Sequence, residues 1–225
     1  MAKLFLLRHI KSQWNQDNRF AGWTDGPLAK GEEKNAKDLA KKIFQNRIDV
    51  IYSSPLFRNM DTVAKILECL PVKYPFFIHL DKGKAQKWGN YTDISDNDVP
   101  VYLSENLNER YYGKLQGLNK QEIIEKYGEK KVRLWRRSYD VAPPGGESEK
   151  DVFKRTIPFY KKYVEKNLKL GKNVLIVASH NSLRSIMKYI EKIPNHDIIN
   201  LEIHYAGLIE YEFDDALTIK NKIIK

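Results

Sequence analysis

Leu4-Phe5-Leu6-Leu7 is an apolar run that stops abruptly at Arg8-His9. A strand buried on both faces has no use for two polar side chains at its carboxyl end, whereas open α/β sheets bind ligands just beyond their strand ends. The run therefore reads as a central strand that opens onto an anion site. A histidine there can attack or ligate, and an arginine can fork onto phosphate or carboxylate oxygens. Val174-Leu175-Ile176-Val177-Ala178 is a second run of this kind, apolar throughout and leading to His180.

Further strands are expected at Val50–Ser53, Phe76–Leu80, Val101–Leu103 and Ala206–Phe213. Helical spacing lies between them. Ala36, Leu39, Ala40, Ile43 and Phe44 repeat at i, i+3, i+4, i+7 and i+8, and Val63, Ile66, Leu67 and Leu70 mark a second stripe. That second helix is expected to start with Ser54 as N-cap and Pro55 at its first position. Val152, Phe153, Phe159, Tyr160, Tyr163 and Val164 mark a longer helix kinked at Pro158, and Leu183, Ile186, Met187 and Ile190 mark the last. The alternation predicts an α/β fold of three layers, helix–sheet–helix, with a mostly parallel central sheet and residues 1–225 in a single domain.

The stretch 80–128 fits the alternation poorly and is expected to be a lid or binding insert. It carries Trp88-Gly89-Asn90-Tyr91 and the acidic run Asp93–Asp98. Ala142-Pro143-Pro144-Gly145-Gly146 reads as a turn delivering the chain to a helix near Ser148.

Composition narrows the class. The single cysteine, Cys69, excludes an internal disulfide framework and a multi-cysteine zinc site. No apolar segment approaches the ~20 residues of a membrane span. The amino terminus lacks a secretory apolar region, so a cytoplasmic protein with no membrane partner is expected. The formal net charge is +10, but the lysines are scattered over positions that read as solvated helix faces (Lys37, Lys41, Lys42, Lys130, Lys131, Lys161, Lys162, Lys169, Lys172) without a nucleic-acid motif. Small anionic substrates are the expected partners of such a field, not nucleic acid.

His9 and His180 each end an apolar run, and His180 stands where a helix amino terminus would offer N–H groups to phosphate. Two such histidines also suit a metal ion, but no third ligand is evident. His79, His196 and His204 show no ligand spacing and are expected to be structural or exposed. Arg58 falls, like Arg8, on the rim where strands end, while Arg47, Arg133 and Arg155 read as surface charges. Glu109, beside Tyr111 and Tyr112, reads as a desolvated carboxyl that holds its proton nearer neutral pH and can donate it.

Taken together these segments resemble a known family. Leu7-Arg8-His9-Ile10-Lys11-Ser12-Gln13-Trp14-Asn15 resembles the Arg-His-Gly-x-Ser-x-Trp-Asn signature of the 2,3-bisphosphoglycerate-dependent phosphoglycerate mutases, within the histidine phosphatase superfamily. The match continues through Phe20-Ala21-Gly22-Trp23-Thr24-Asp25, Leu107-Asn108-Glu109-Arg110-Tyr111-Tyr112-Gly113 and Leu115-Gln116-Gly117-Leu118-Asn119-Lys120. Leu134-Trp135-Arg136-Arg137-Ser138-Tyr139, Pro143-Pro144-Gly145-Gly146-Glu147-Ser148 and Asn181-Ser182-Leu183-Arg184 complete it.

The resemblance implies a phosphoglycerate mutase-like fold and an isomerase of glycolysis and gluconeogenesis that interconverts 3- and 2-phosphoglycerate through a phosphohistidine. It implies 2,3-bisphosphoglycerate as phosphoryl primer, no metal, and a homodimer or homotetramer. His9 would be the nucleophile, Glu109 the proton donor and acceptor, and His180 the stabiliser of the transferring phosphoryl. Arg8, Asn15, Arg58 and Asn181 would ring that group. Tyr112, Lys120, Arg136 and Arg137 would hold the distal phosphate and carboxylate, Gly22 would give a backbone N–H, and Ser12 and Ala21 belong to the same substrate-binding set.

Three departures stand out. Ile10 replaces a glycine after the nucleophile, where a β-branched residue does not easily take a positive φ. Ala21 removes a hydroxyl. Ser179-His180-Asn181-Ser182 lacks the glycine of His-Gly-Asn-Ser, so either His180 or Ser179 stands in the second histidine position. Two alternatives therefore stay open: a histidine-type phosphomonoesterase, and a weakly catalytic phospho-ligand binding protein.

Overall fold

In the computed structural model, which describes residues 1–89 and 94–225, β1 (Ala2–Arg8) and β5 (Val174–Ala178) run parallel at the centre of a seven-stranded sheet. Successive side chains of a strand point to opposite faces, so a run that is apolar at every position needs cover on both. Leu4 and Leu6 accordingly enter one core cluster with Ile176, while Phe5 and Leu7 enter another with Leu175 and Val177.

The remaining strands are β2 (Val50–Ser53), β3 (Tyr74–His79), β4 (Asp98–Leu103), β6 (Leu208–Phe213) and β7 (Ile219–Ile224). Their spatial order is β3-β4-β2-β5-β1-β6-β7. Pairing is parallel from β3 to β1 and antiparallel for β6 and β7, as the mostly parallel expectation requires. On one face, α2 (Asn35–Ile43) and α3 (Phe57–Leu67) bury Leu39, Ile43, Val63 and Ile66. On the other, α6 (Glu149–Phe159) and α8 (His180–Ile190) bury Phe159, Leu183 and Ile186. The short helices α1 (Gln13–Gln16), α4 (Lys120–Tyr127), α5 (Glu129–Arg137) and α7 (Lys166–Lys169) complete the chain. A third apolar cluster, Phe20, Leu115, Ile123, Val132 and Trp135, joins α4 and α5 to the segment after α1.

Local differences from the sequence expectations have local causes. Helix α3 begins at Phe57, not at Pro55, because the Ser54 hydroxyl donates to Asn108 Oδ1 (2.6 Å) while its oxygen accepts from the Leu56 N–H. Pro158 lies inside α6 and is followed at once by a π-helical turn, Tyr160–Glu165, which leads into α7. Strand β6 starts two residues later than expected because Ala206 has φ +57, a left-handed conformation incompatible with a strand. Strand β7 was not anticipated, since its polar residues leave no alternating stripe. Within 80–128, β4 is a strand of the sheet itself. Asn90, Tyr91 and Asp93 lie outside the described residues. Among the described residues, no helix is long and apolar enough to cross a membrane.

Candidate active site

Strand register brings four chain ends to one edge of the sheet. Arg8 pairs with Ala178, and Ser53 pairs with both Val177 and Leu103. The segments that follow these ends deliver His9, His180, Arg58 and Glu109 to a common cavity of about 340 Å³. All the expected site residues line this cavity except Ser12. Ser12 stands behind Asn15, its hydroxyl donating to Asn15 Oδ1 at 2.8 Å.

His9 is 2% exposed and its ring is fixed at both nitrogens. Nδ1 lies 2.7 Å from the carbonyl oxygen of Ile10, which can only accept, so the neutral ring carries its proton there. Nε2 is left with a lone pair and accepts from Arg58 Nε at 3.3 Å. Burial, followed by the charges of Arg58 and Arg8, pushes the imidazole well below its usual value. It is therefore neutral near pH 7, the form in which an imidazole can attack. Arg58 is anchored by donating to Gly22 O (2.7 Å) and Thr24 O (2.9 Å). Gly22 has φ +52, a left-handed backbone that L side chains rarely adopt, which explains the glycine.

Glu109 is buried, but Tyr111 does not bury it: Tyr111 turns outward, 38% exposed, against Trp23. Its Oε1 accepts from the Arg110 N–H (2.7 Å), from Asn181 Nδ2 (2.5 Å) and from the Asn181 N–H (3.3 Å). Burial alone raises a carboxyl, but His180, the Arg110 N–H, Arg58 and Asn181 together outweigh it and hold Glu109 below its usual value. With His180 neutral, the N–H donors and Arg58 carry that effect. The expectation of a proton held near neutral pH is thus corrected: Glu109 is a carboxylate, a base before it is an acid.

His180, not Ser179, lines the cavity. Ser179 is the N-cap residue of α8 and its hydroxyl oxygen faces Asn59 (3.3 Å) and Arg58 (3.4 Å). Burial pushes His180 down to about 3, with Glu202 opposing and Arg8 and Arg184 adding to the fall. Ile10 takes no positive φ; it is fully buried among Phe5, Leu7 and Leu39, and its N–H donates to Thr62 Oγ1 at 3.0 Å. The missing glycine therefore leaves no strain beside His9.

Sequence reasoning missed Asn18, Arg19, Phe20, Glu202 and Tyr205, all of which line the cavity, and it set His204 aside as structural or exposed. His204 is exposed, but on the cavity rim. Glu202, His204 and Tyr205 lie on the loop between α8 and β6, which the pairing of β6 with β1 carries across the site. Nothing in their spacing signals this; only the topology does. Arg155 is no surface charge either. It is held by Glu147 and donates to the carbonyls of Asn106 (3.0 Å) and Glu109 (2.9 Å), clamping the loop that presents Glu109. Among the described residues, no group of three His, Cys, Asp or Glu could hold a metal ion.

Comparison with known proteins adds the following. The family model described as histidine phosphatase superfamily (branch 1) matches residues 4–88 and 90–221. The chain is 45% identical over 216 residues to a 2,3-bisphosphoglycerate-dependent phosphoglycerate mutase of Methanococcus vannielii, covering 96% of this chain and 92% of that protein. It is 42% identical over 212 residues to the enzyme of that name from Chlamydia caviae, covering 94% and 93%. Among solved structures, a mycobacterial glucosyl-3-phosphoglycerate phosphatase superposes with a TM-score of 0.75 at 22% identity over 100% of this chain and 98% of that one. The alpha-ribazole phosphatase from Shigella flexneri gives 0.72 at 19% identity, covering 97% and 94%. These two likenesses concern the fold.

Proposed function

This chain belongs to the histidine phosphatase superfamily, branch 1, and we propose that its cavity interconverts 3- and 2-phosphoglycerate as a 2,3-bisphosphoglycerate-dependent phosphoglycerate mutase, the activity named for its relatives. One observation carries this reading. A single cavity holds a neutral histidine whose Nε2 lone pair faces Arg58, a carboxylate, and a set of coupled cations, Arg8, Lys120, Arg136 and Arg137. A ligand with anionic groups at two ends and a hydroxyl between them meets each of these.

Bound 2,3-bisphosphoglycerate would supply the phosphoryl group that turns His9 into a phosphohistidine. The residues fit such a polyanion, since five arginines and a lysine line the cavity against two carboxylates, Glu109 and Glu202. Arg58, donating toward His9 Nε2, neutralises charge on the transferring group. Glu109 takes the proton of the attacking hydroxyl as the N–P bond breaks and the new O–P bond forms. It returns that proton to the oxygen released when His9 Nε2 takes a phosphoryl group back. Glu109 begins and ends ionised, which agrees with the direction of its shift. Asn181 spans Glu109 and the Tyr112 hydroxyl (3.2 Å), holding the carboxylate against one wall.

The test is turnover of 3-phosphoglycerate in an enolase-coupled assay, with and without 2,3-bisphosphoglycerate, paired with detection of phosphohistidine. Bisphosphate-stimulated turnover and labelling are expected, and His9→Ala should abolish both, lowering turnover at least about a thousandfold while the fold persists. Release of inorganic phosphate without 2-phosphoglycerate would replace the mutase by the phosphomonoesterase.

A further inference from the structure

Glu202 lines the cavity but lies outside every sequence motif quoted above. Its carboxylate contacts three groups of the site: Arg137 Nη2 at 2.5 Å, His180 Nε2 at 3.1 Å and Arg8 Nη1 at 3.8 Å. Glu109 is turned to Asn181 and the Arg110 N–H, so Glu202 is the carboxylate that faces the cation cluster. Those contacts are the ones a phosphate or carboxylate of a bound ligand would want. Two anions cannot share them without strong repulsion.

The two sides of the contact are unequally held. Arg8 is pinned, donating to Ile203 O at 2.5 Å beneath the Tyr205 ring, whose centroid lies 3.7 Å from the guanidinium carbon. Glu202 sits on a stretch without regular structure and its side chain is 41% exposed. A second cavity, about 410 Å³, adjoins the first; Arg136, Arg137 and Glu202 form walls of both, and Arg133, Asn200 and Glu129 are among the other residues lining it. A displaced Glu202 carboxylate thus has both space and a cation to turn to.

We infer that Glu202 is a built-in competitor for the ligand's oxyanion: its carboxylate occupies the Arg8–Arg137–His180 cluster, and phosphate or carboxylate binds there only by driving it toward Arg133. The competition weakens ligand affinity and speeds release, so Glu202 sets the working concentration range of the site. Displacement also removes Glu202 from His180 Nε2, leaving that nitrogen with Arg137 Nη1 at 3.2 Å and open to the transferring group. The inference rests on the reading of the cavity as a phosphate site, not on mutase turnover.

Calorimetric titration of inorganic phosphate into the intact unphosphorylated protein tests it. Glu202→Gln and Glu202→Ala should both bind phosphate more tightly, by about tenfold for a carboxylate docked roughly nine-tenths of the time. In turnover, KM for 3-phosphoglycerate should fall without a rise in kcat, a split that loss of a structural contact does not produce. Equal or weaker phosphate binding by both folded variants overturns the inference. Because the titration needs no catalysis, tighter binding in a protein without mutase turnover would retain this inference and reject the mutase alone.

Discussion

Lys120 stands among Arg136, Arg8 and Arg137, and its ammonium is pushed down to about 8 by burial first and by those three charges next. A lysine with a lowered value is charged below it and neutral above it. Its attraction for an anionic substrate is therefore present below about pH 8 and lost above. The alkaline limb of kcat/KM should fall by up to about tenfold per pH unit there. Lys120→Arg should move that limb upward, since a guanidinium stays protonated throughout the range. A pH–rate series on the two proteins decides it, and an unmoved limb would assign the fall to another group. No matching acid limb from His9 is expected near pH 6, because burial and Arg58 keep that ring neutral well below its usual range. Residue types and order announced His9, Arg8, Arg58 and Glu109 in the sequence. Their charge states were not legible, because Glu109 owes its ionisation in part to the Asn181 amide, the Asn181 N–H and Arg58, all of which the chain order keeps far away.

At the level of elements, the site is held by a buried ionic knot that the sequence reading passed over. Glu149, at the start of α6, accepts from Arg110 Nη2 (2.5 Å), Arg184 Nη1 (3.3 Å) and the Ser185 hydroxyl (3.0 Å), with both carboxylate and guanidinium side chains fully buried. Arg110 also donates to Trp135 O (2.7 Å) and Arg184 to Arg137 O (2.9 Å), while both reach Asn181 Oδ1. The knot ties α5, α6 and α8 together around the residue that orients Glu109. Removing one member strands buried charge, which typically costs about 3–5 kcal/mol. Glu149→Ala should lose stability on that scale in urea denaturation, and kcat should drop with it as Asn181 loosens. A loss below ~1 kcal/mol would mean that water compensates the two arginines. Periodicity exposed α2, α3 and α8 because each buries one stripe, and apolar runs exposed β1 and β5. The knot escaped because a lone Arg or Glu in a polar stretch is ordinarily a surface charge. The start of α3 escaped because Ser54 spends its hydroxyl on Asn108 of another segment.

Over the whole molecule, the fold concentrates what the composition spreads thin. Five parallel strands end at one edge, and there the topology collects Arg8, Arg58, Lys120, Arg136 and Arg137 around a cavity of about 340 Å³. The rest of the chain adds to the same sign, for a formal net charge of +10. A cavity with an excess of positive charge inside a body of like sign focuses the field on its mouth and draws anionic substrates inward. Such steering acts through solvent and is screened: the Debye length falls from about 30 Å at 0.01 M salt to about 3 Å at 1 M. Arg58, by contrast, is buried and feels little screening. Raising sodium chloride across that range should therefore lower kcat/KM for 3-phosphoglycerate by about tenfold or more, as electrostatically steered associations do, while saturated turnover changes far less. Sodium acetate at equal ionic strength should give the same slope, because screening depends on ionic strength and not on which anion supplies it. If kcat/KM holds constant with salt, the distributed charge contributes nothing to capture and the local arginines act alone. If chloride and acetate differ, occupancy of the arginine cluster, not the long-range field, governs substrate entry.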